Sequence, residues 1–174
     1  LSVSLLWGAS FLFLRLLVLD GLEPLQIVSI RMILAALFIA PFFIRKMKKH
    51  SFYEHGFSFL LIGLLNTALP FTMFAYASVS LGAGSLSILQ ATVPILTALI
   101  LFTLYKGEFS YFKLSGGMIG FAGLFLLVGP SGNLDLFASI LCVVASLSYA
   151  IAGVYLAKTP ARISNSFIGM GSII

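Results

Sequence analysis

The chain has 174 residues, of which 60% are hydrophobic and only 9% are charged, and its mean hydropathy is +1.14. Soluble domains carry about 25% charged residues, so this composition excludes an ordinary soluble enzyme or nucleic-acid-binding domain. We attribute the net charge of +5 to loops that face anionic lipid. The single cysteine, Cys142, excludes an internal disulfide and a multi-cysteine metal site.

Six apolar stretches are long enough to cross a membrane, which takes about 20 mostly apolar residues in a helix. They lack the period-two alternation of barrel strands. We therefore predict an all-α integral membrane protein, a polytopic helical bundle of six full spans plus a truncated seventh that begins near Ser166. The predicted spans are roughly Leu1–Leu19, Leu25–Ile44, Phe57–Leu81, Ala83–Tyr105, Phe112–Gly129 and Leu134–Ala157.

The basic residues outside these spans fall on alternate loops, and the loops between carry no Lys or Arg. Positive residues are retained on the cytoplasmic side during insertion. The pattern predicts a multi-pass protein with its N-terminus in the cytoplasm. We expect its membrane to be the bacterial inner (plasma) membrane. The basic loops are Arg45–Lys49, Lys106–Lys113 and Lys158–Arg162.

The first span contains Trp7 and Arg15, and the second contains Arg31. Trp7 lies at mid-membrane, away from the interfacial belt where Trp is usual, so it either packs in the core or lines a cavity. At about 1.5 Å per residue, both arginines lie roughly 7–10 Å below the outer boundary. A charge there indicates a functional site by default. The arginines either attract an anion or extend outward to lipid phosphate or nearby carboxylates.

The third and fourth spans each carry a central proline, Pro70 and Pro94. Each proline removes the donor to the carbonyl four residues earlier, that of Asn66 or Gln90. Interrupted helices with polar residues at the midplane form substrate sites in transporters. We predict helix breaks at both prolines and place both amides in a cavity. The alternative is a packing kink in which a neighbouring threonine satisfies the carbonyl.

Small residues dominate the fifth and sixth spans. Glycines of the fifth span predict close helix packing. The sixth span has one small, polar face, on which Tyr149 is the predicted ligand contact. The fifth-span glycines are Gly116, Gly117, Gly120 and Gly123.

The sequence contains neither a phosphate-binding glycine loop nor a His-Glu-x-x-His zinc pair. We therefore predict no enzyme activity, no cofactor and no metal. An intramembrane lipid-handling enzyme and a non-transporting structural membrane subunit are the alternatives. A weak internal repeat pairs Trp7-Gly8 with Tyr149-Ala150, and since five spans are an odd number, a second copy would be inverted in the membrane.

Several segments resemble the EamA branch of the drug/metabolite transporter (DMT) superfamily. The resemblance covers nearly the whole chain and includes the proline-bearing spans and the glycine-rich fifth span. Its motifs are Leu5–Phe11, Glu23–Leu25, Ile30–Met32 and Lys106–Glu108. It implies ten spans in two five-helix inverted repeats, with 1–130 as the first repeat and 131–174 as the start of the second. It also implies transport of small metabolites, amino acids among them.

We predict a permease for small metabolites or drug-like solutes that works by alternating access. Its partners are a small-molecule substrate, the lipid bilayer, and either the remaining second repeat or a second copy of the chain, with no nucleic acid. The chain begins and ends inside apolar segments, so we expect these residues alone not to transport. The predicted cavity contacts are Trp7, Asn66, Gln90 and Tyr149, with Arg31 and Arg15 at the outer mouth.

Overall fold

The computed structural model of the chain describes residues 2–46, 49–104, 111–128 and 135–158, and these ranges contain helices and turns without strands. Eight α-helices and one π-helical segment follow one another in this described part. They are α1 Ser2–Leu19, α2 Pro24–Lys46, α3 Lys49–Gly63, the π segment Leu64–Ala68, α4 Leu69–Ala77, α5 Ala83–Gln90, α6 Val93–Leu104, α7 Tyr111–Val128 and α8 Leu136–Lys158.

Four helical stretches within the described ranges are long and apolar enough to cross a membrane. α1 and α7 have 18 residues each and hold shorter apolar segments. The all-helical membrane fold is thus confirmed, while the count of six spans stays a prediction and the seventh span lies outside the described residues. The four stretches are Pro24–Arg45, Gly56–Ala77, Ala83–Leu104 and Leu136–Lys158.

Large apolar side chains cover the outside of the bundle. Phe38 on α2 is 75% exposed and Phe112 on α7 is 90% exposed. Soluble monomers rarely expose contiguous apolar patches on this scale, because the contact with water is unfavourable. We therefore expect these exposed apolar faces to contact lipid tails.

The turn between α1 and α2 follows from Gly21. Its φ of 92° lies in the left-handed region, which glycine adopts without steric cost. The backbone N–H of Leu22 donates to the Leu17 carbonyl at 3.1 Å, and that of Gly21 donates to the Val18 carbonyl at 3.1 Å. This pair of bonds is a Schellman motif, which ends α1 and lets α2 start at Pro24 and run back antiparallel to α1.

Asp135 caps the start of α8. The backbone N–H of Ala138 donates to its Oδ1 atom at 3.0 Å. This bond, with a smaller contribution from the Ser80 side chain, holds the pKa of the Asp135 carboxyl below its usual range. The cap fixes the end of the helix that faces the turn between α4 and α5.

The third span accommodates Pro70 with a π-helical turn, and the helix is not broken there. The residues before it form the π segment, in which the backbone N–H of Leu69 donates to the Leu64 carbonyl five residues earlier. The wider turn takes up the missing donor of Pro70, and α4 continues without a break. The interruption predicted at Pro70 therefore takes the form of a π bulge that contains Asn66.

The fourth span is divided at Pro94. α5 ends at Gln90 and α6 begins at Val93. The Leu89 carbonyl accepts from the Thr92 hydroxyl at 2.6 Å and, across the bundle, from the Ser146 hydroxyl of α8 at 3.1 Å. The Leu89 carbonyl, next to the break, thus accepts from two side chains, which helps to satisfy a helix end inside lipid.

α8 is the central helix, and it packs against α4, α5 and α6. Its inward face consists of small residues that are almost fully buried, including Cys142, Ala145 and Ser146. The facing α4 contributes Ala75 and Ala77, which are also fully buried. Small residues let helix backbones approach closely, so this contact forms the tightest part of the bundle.

A second, smaller core lies at the other end of the bundle. Phe43 at the end of α2 meets Phe59 of α3 edge to face, with 6.0 Å between ring centroids. The hydroxyls of Ser58 and Tyr155 lie 2.9 Å apart in a hydrogen bond that joins α3 to α8. α3 begins at Lys49, so part of the predicted basic loop is helical.

The glycines of α7 divide into two groups. A Cβ at Gly117 would lie 3.6 Å from Pro94 and from Ile95, so this glycine packs against the start of α6. The other three, Gly116, Gly120 and Gly123, face open space among the described residues. The predicted close packing is therefore seen at one of the four positions. The predicted Lys106-Gly107-Glu108 turn lies outside the described residues.

Candidate functional site

Four aromatic rings from three helices form a continuous series of ring contacts. Phe11 of α1 contacts Phe74 of α4 edge to face, at 5.3 Å between centroids. Phe74 stacks with Tyr149 of α8 at 6.4 Å, and Tyr149 meets Trp7 of α1 edge to face at 6.3 Å. Such pairs hold the rings in fixed orientations, so the walls around them are preformed.

A cavity of about 280 Å³ opens beside these rings and reaches α2. Arg31 lines it and donates from Nη2 to the hydroxyl of Ser10 at 3.1 Å. The guanidinium lies over the ring of Phe71, 4.9 Å from its centroid, in a cation–π contact. An inward-facing arginine held in this way carries positive charge into an aromatic chamber. We call this space the arginine chamber.

A wider groove of about 660 Å³ adjoins the chamber and shares Trp7, Phe11 and Tyr149 with it. The π segment supplies Asn66, and the broken fourth span supplies Gln90 and Pro94. We call this space the amide groove. A third cavity of about 270 Å³ also touches Trp7, Asn66 and Tyr149.

The structure thus brings most of the predicted contacts together. Trp7, Asn66, Gln90 and Tyr149 line the amide groove, and Arg31 lies in the adjoining chamber. That they bind a substrate stays a prediction. Gln90 is the last residue of α5, next to the break in the fourth span, and its side chain lines the groove. Asn66 lies in the π segment and lines the groove together with residues of α1 and α8.

Arg15 lies apart from Arg31 and lines neither the chamber nor the groove. It donates from Nη1 to the carbonyl of Ser78, at the end of α4, and to that of Val79 at 2.9 Å. A cation at the C-terminal end of a helix satisfies carbonyls that have no helical donor. Its position ties α1 to the turn that joins the third and fourth spans.

Sequence reasoning missed the contribution of Ser10, Phe71 and Phe74. Ser10 follows Trp7 by three residues, which places both on one helical face, so the spacing offered a signal. The two phenylalanines offered none, because an aromatic residue suits a lipid-facing position as well as a cavity wall. Within the described ranges, no group of three His, Cys, Asp or Glu residues could hold a metal ion.

Comparison with known proteins agrees with this architecture. Residues 1–129 match the model of the EamA-like transporter family. Uncharacterized transporter YoaV of Bacillus subtilis (strain 168) is 28% identical over 161 residues, which cover 89% of this chain and 54% of that protein. An uncharacterized transporter of Archaeoglobus fulgidus is 26% identical over 130 residues, covering 75% of this chain and 39% of that protein.

Uncharacterized transporter YdfC of Bacillus subtilis (strain 168) is 24% identical over 155 residues, which cover 88% of this chain and 50% of that protein. The chain therefore spans about half the length of the curated relatives it matches. No solved structure matches it significantly. The family match covers well over half of the chain and agrees with the transmembrane helices and the motifs of the first two spans. The chain is a multi-pass membrane protein that belongs to the EamA-like transporter family, within the DMT superfamily.

Proposed function

We propose that the protein is a permease that moves a small solute by alternating access, with the arginine chamber and the amide groove as its central site. The observation that carries this proposal is the position of the amide groove between α1, α8, the π segment of the third span and the broken fourth span, with the arginine chamber beside it between α1, α2, α4 and α8. Transporters build midplane sites from discontinuous helices of this kind. A merely structural subunit would have no need of a polar space at the helix break.

The residues that line the two spaces also favour transport over catalysis. As far as the described ranges extend, neither the chamber nor the groove is lined by Asp, Glu, His or Cys. General acid–base or nucleophilic catalysis needs such groups within reach of one another. We therefore propose a permease without enzymatic activity.

We further propose that 1–130 form one five-helix repeat and that 131–174 begin a second, inverted one. The family match over residues 1–129 supports this division. Alternating access moves one repeat against the other around a shared site. The moving partner would be the remaining second repeat or, alternatively, a second copy of this chain.

Accessibility of the groove from both sides tests the permease proposal without knowledge of the substrate. Ser87 lines the amide groove, so we expect Ser87→Cys to react with a membrane-impermeant methanethiosulfonate in both right-side-out and inside-out vesicles. The vesicles carry the chain together with its second repeat or a second copy. A Cys142→Ser background removes the native thiol. The control is Ile151→Cys on α8. Ile151 is 41% exposed and lines neither space, so in lipid tails its thiol should not react. Reaction of Ser87→Cys from one side only would refute alternating access.

The alternation of basic loops supports an inner-membrane orientation with a cytoplasmic N-terminus. In the Cys142→Ser background, we expect Asp20→Cys to react with an impermeant maleimide on intact bacterial cells. Arg45→Cys should react only in inside-out vesicles. Both native residues are exposed and lie at opposite ends of helices in the described part. Labelling of both positions from the same side would contradict this orientation.

A further inference from the structure

Arg31 has more hydrogen-bond donors than the described part of the chain uses. A guanidinium carries five N–H donors and no acceptor. In the described part of the chain, one of them is donated to Ser10, and the plane of the group rests on Phe71. The group lines the arginine chamber and is only half-buried, so its remaining donors are open to a ligand there.

The other polar groups of the chamber are also able to donate. The Ser10 oxygen accepts from Arg31, which leaves its own proton for a ligand. The indole N–H of Trp7 can only donate, and the Tyr149 hydroxyl can do so as well. Among the residues that the structure describes, no carboxylate or amide side chain lines the chamber. Its chemistry therefore favours a ligand group that accepts several hydrogen bonds and carries negative charge.

The rest of the chamber is apolar and largely aromatic. Phe11, Phe71 and Phe74 form its walls together with Leu14 and the rings of Trp7 and Tyr149. Flat aromatic walls that are fixed by mutual ring contacts favour a compact hydrocarbon or aryl group over a polyhydroxylated one. A volume of about 280 Å³ suits a small molecule of this kind.

We infer that the substrate is a small organic anion with an apolar or aryl body and no ammonium group, bound with its anionic group at Arg31. This inference rests on the proposed permease function and specifies the solute that the permease would take. An ammonium group would meet the positive charge of Arg31 without a carboxylate in the chamber to pair with it. Cations, and to a smaller degree zwitterions, should therefore bind more weakly than monoanions of the same shape.

The chain's single tryptophan makes the inference directly measurable. Trp7 lines both the chamber and the adjoining amide groove, so its fluorescence reports binding in either space, and dependence of the signal on Arg31 identifies binding in the chamber. The probes are 3-phenylpropanoate, 3-phenylpropanamide, 3-phenylpropylammonium and phenylalanine, added to the purified full chain in detergent. We expect saturable quenching by 3-phenylpropanoate, with Kd values at least tenfold higher for the neutral, cationic and zwitterionic probes.

Substitution of Arg31 should remove this preference. Arg31→Gln should raise the Kd of 3-phenylpropanoate at least tenfold and change that of 3-phenylpropanamide less than twofold. Arg31→Lys keeps the charge and should keep most of the preference, which distinguishes lost recognition from misfolding. The matched control is Arg45→Gln, because Arg45 is exposed near the end of the same helix and lines neither space.

Three results would overturn the inference: equal binding of the carboxylate and the amide, tighter binding of the ammonium probe, or absence of any saturable response. The accessibility of Ser87→Cys is a separate readout. One-sided labelling together with selective anion binding would refute the permease mechanism and leave the binding chemistry intact. Two-sided labelling without anion selectivity would refute the substrate class alone.

Discussion

Replacing Gln90 with leucine is expected to reduce solute flux roughly 30-fold while the amount of folded protein stays within about twofold. Leucine has a similar size but removes the amide that the end of α5 presents to the amide groove. A hydrogen bond contributes about 1 kcal/mol. Loss of two such bonds to a solute would cost about 2 kcal/mol, and each 1.4 kcal/mol is tenfold.

The measurement uses N-acetylphenylalanine, an aryl monoanion without an ammonium group, whose carboxylate would bind at Arg31 and whose amide can exchange two hydrogen bonds with Gln90. It compares flux of this solute into vesicles with the amount of monodisperse protein recovered in detergent. The vesicles carry the chain together with its second repeat or a second copy. Gln26→Leu is the matched control, since Gln26 is exposed on α2, bonds to the backbone of Glu23 and lines neither the chamber nor the groove. Parallel loss of folded protein and flux in Gln90→Leu would show instead that Gln90 acts only in packing of the kink.

Replacing Ala145 with leucine is expected to destabilise the bundle by about 1–3 kcal/mol, the usual cost of overpacking. Ala145 has no exposed surface and belongs to the core cluster that joins α8 to α4 and α1. Three added carbon atoms must push apart helices whose contact depends on small side chains. Thermal unfolding in detergent, followed by circular dichroism, should show a lower Tm and a smaller folded yield.

Val143→Leu provides the control for this prediction. Val143 lies on the same helix two residues earlier, is 42% exposed, and should tolerate a larger side chain against lipid with little change in Tm. If both variants unfold at the temperature of the parent chain, the contact between α4 and α8 is looser than its buried alanines indicate.

The all-helical membrane fold could be predicted from the sequence because the length and apolarity of a span are direct physical requirements of a bilayer. Which face of each helix is buried and which contacts lipid could not be predicted from the sequence. In a soluble helix, polar residues mark the outer side, but lipid accepts the same apolar residues as the core. Phe38 and Phe74 look alike in the sequence, although the first is 75% exposed and the second only 3%.

The polar residues that line the two spaces were easier to predict from the sequence than the helix conformations that bring them there. Asn66, Gln90 and Arg31 are conspicuous because polar groups inside a membrane are rare. The two prolines, in contrast, have equivalent sequence contexts and different outcomes. Pro70 follows a π turn and Pro94 follows a break in the helix. The difference depends on neighbours such as Ser146, which lies far away in the sequence and bonds to the backbone at the break.

The π segment has a consequence for how such a site can change in evolution. A π turn amounts to one extra residue inserted into an α-helix, and each residue of an α-helix adds about 100° of rotation. Loss of a single codon between Leu64 and Ala68 would therefore turn the whole N-terminal part of the third span by that angle relative to α4. A different side chain would then replace Asn66 in the groove. A one-residue deletion could thus change the side chain on this wall of the groove while the contacts between α4 and α8 are retained.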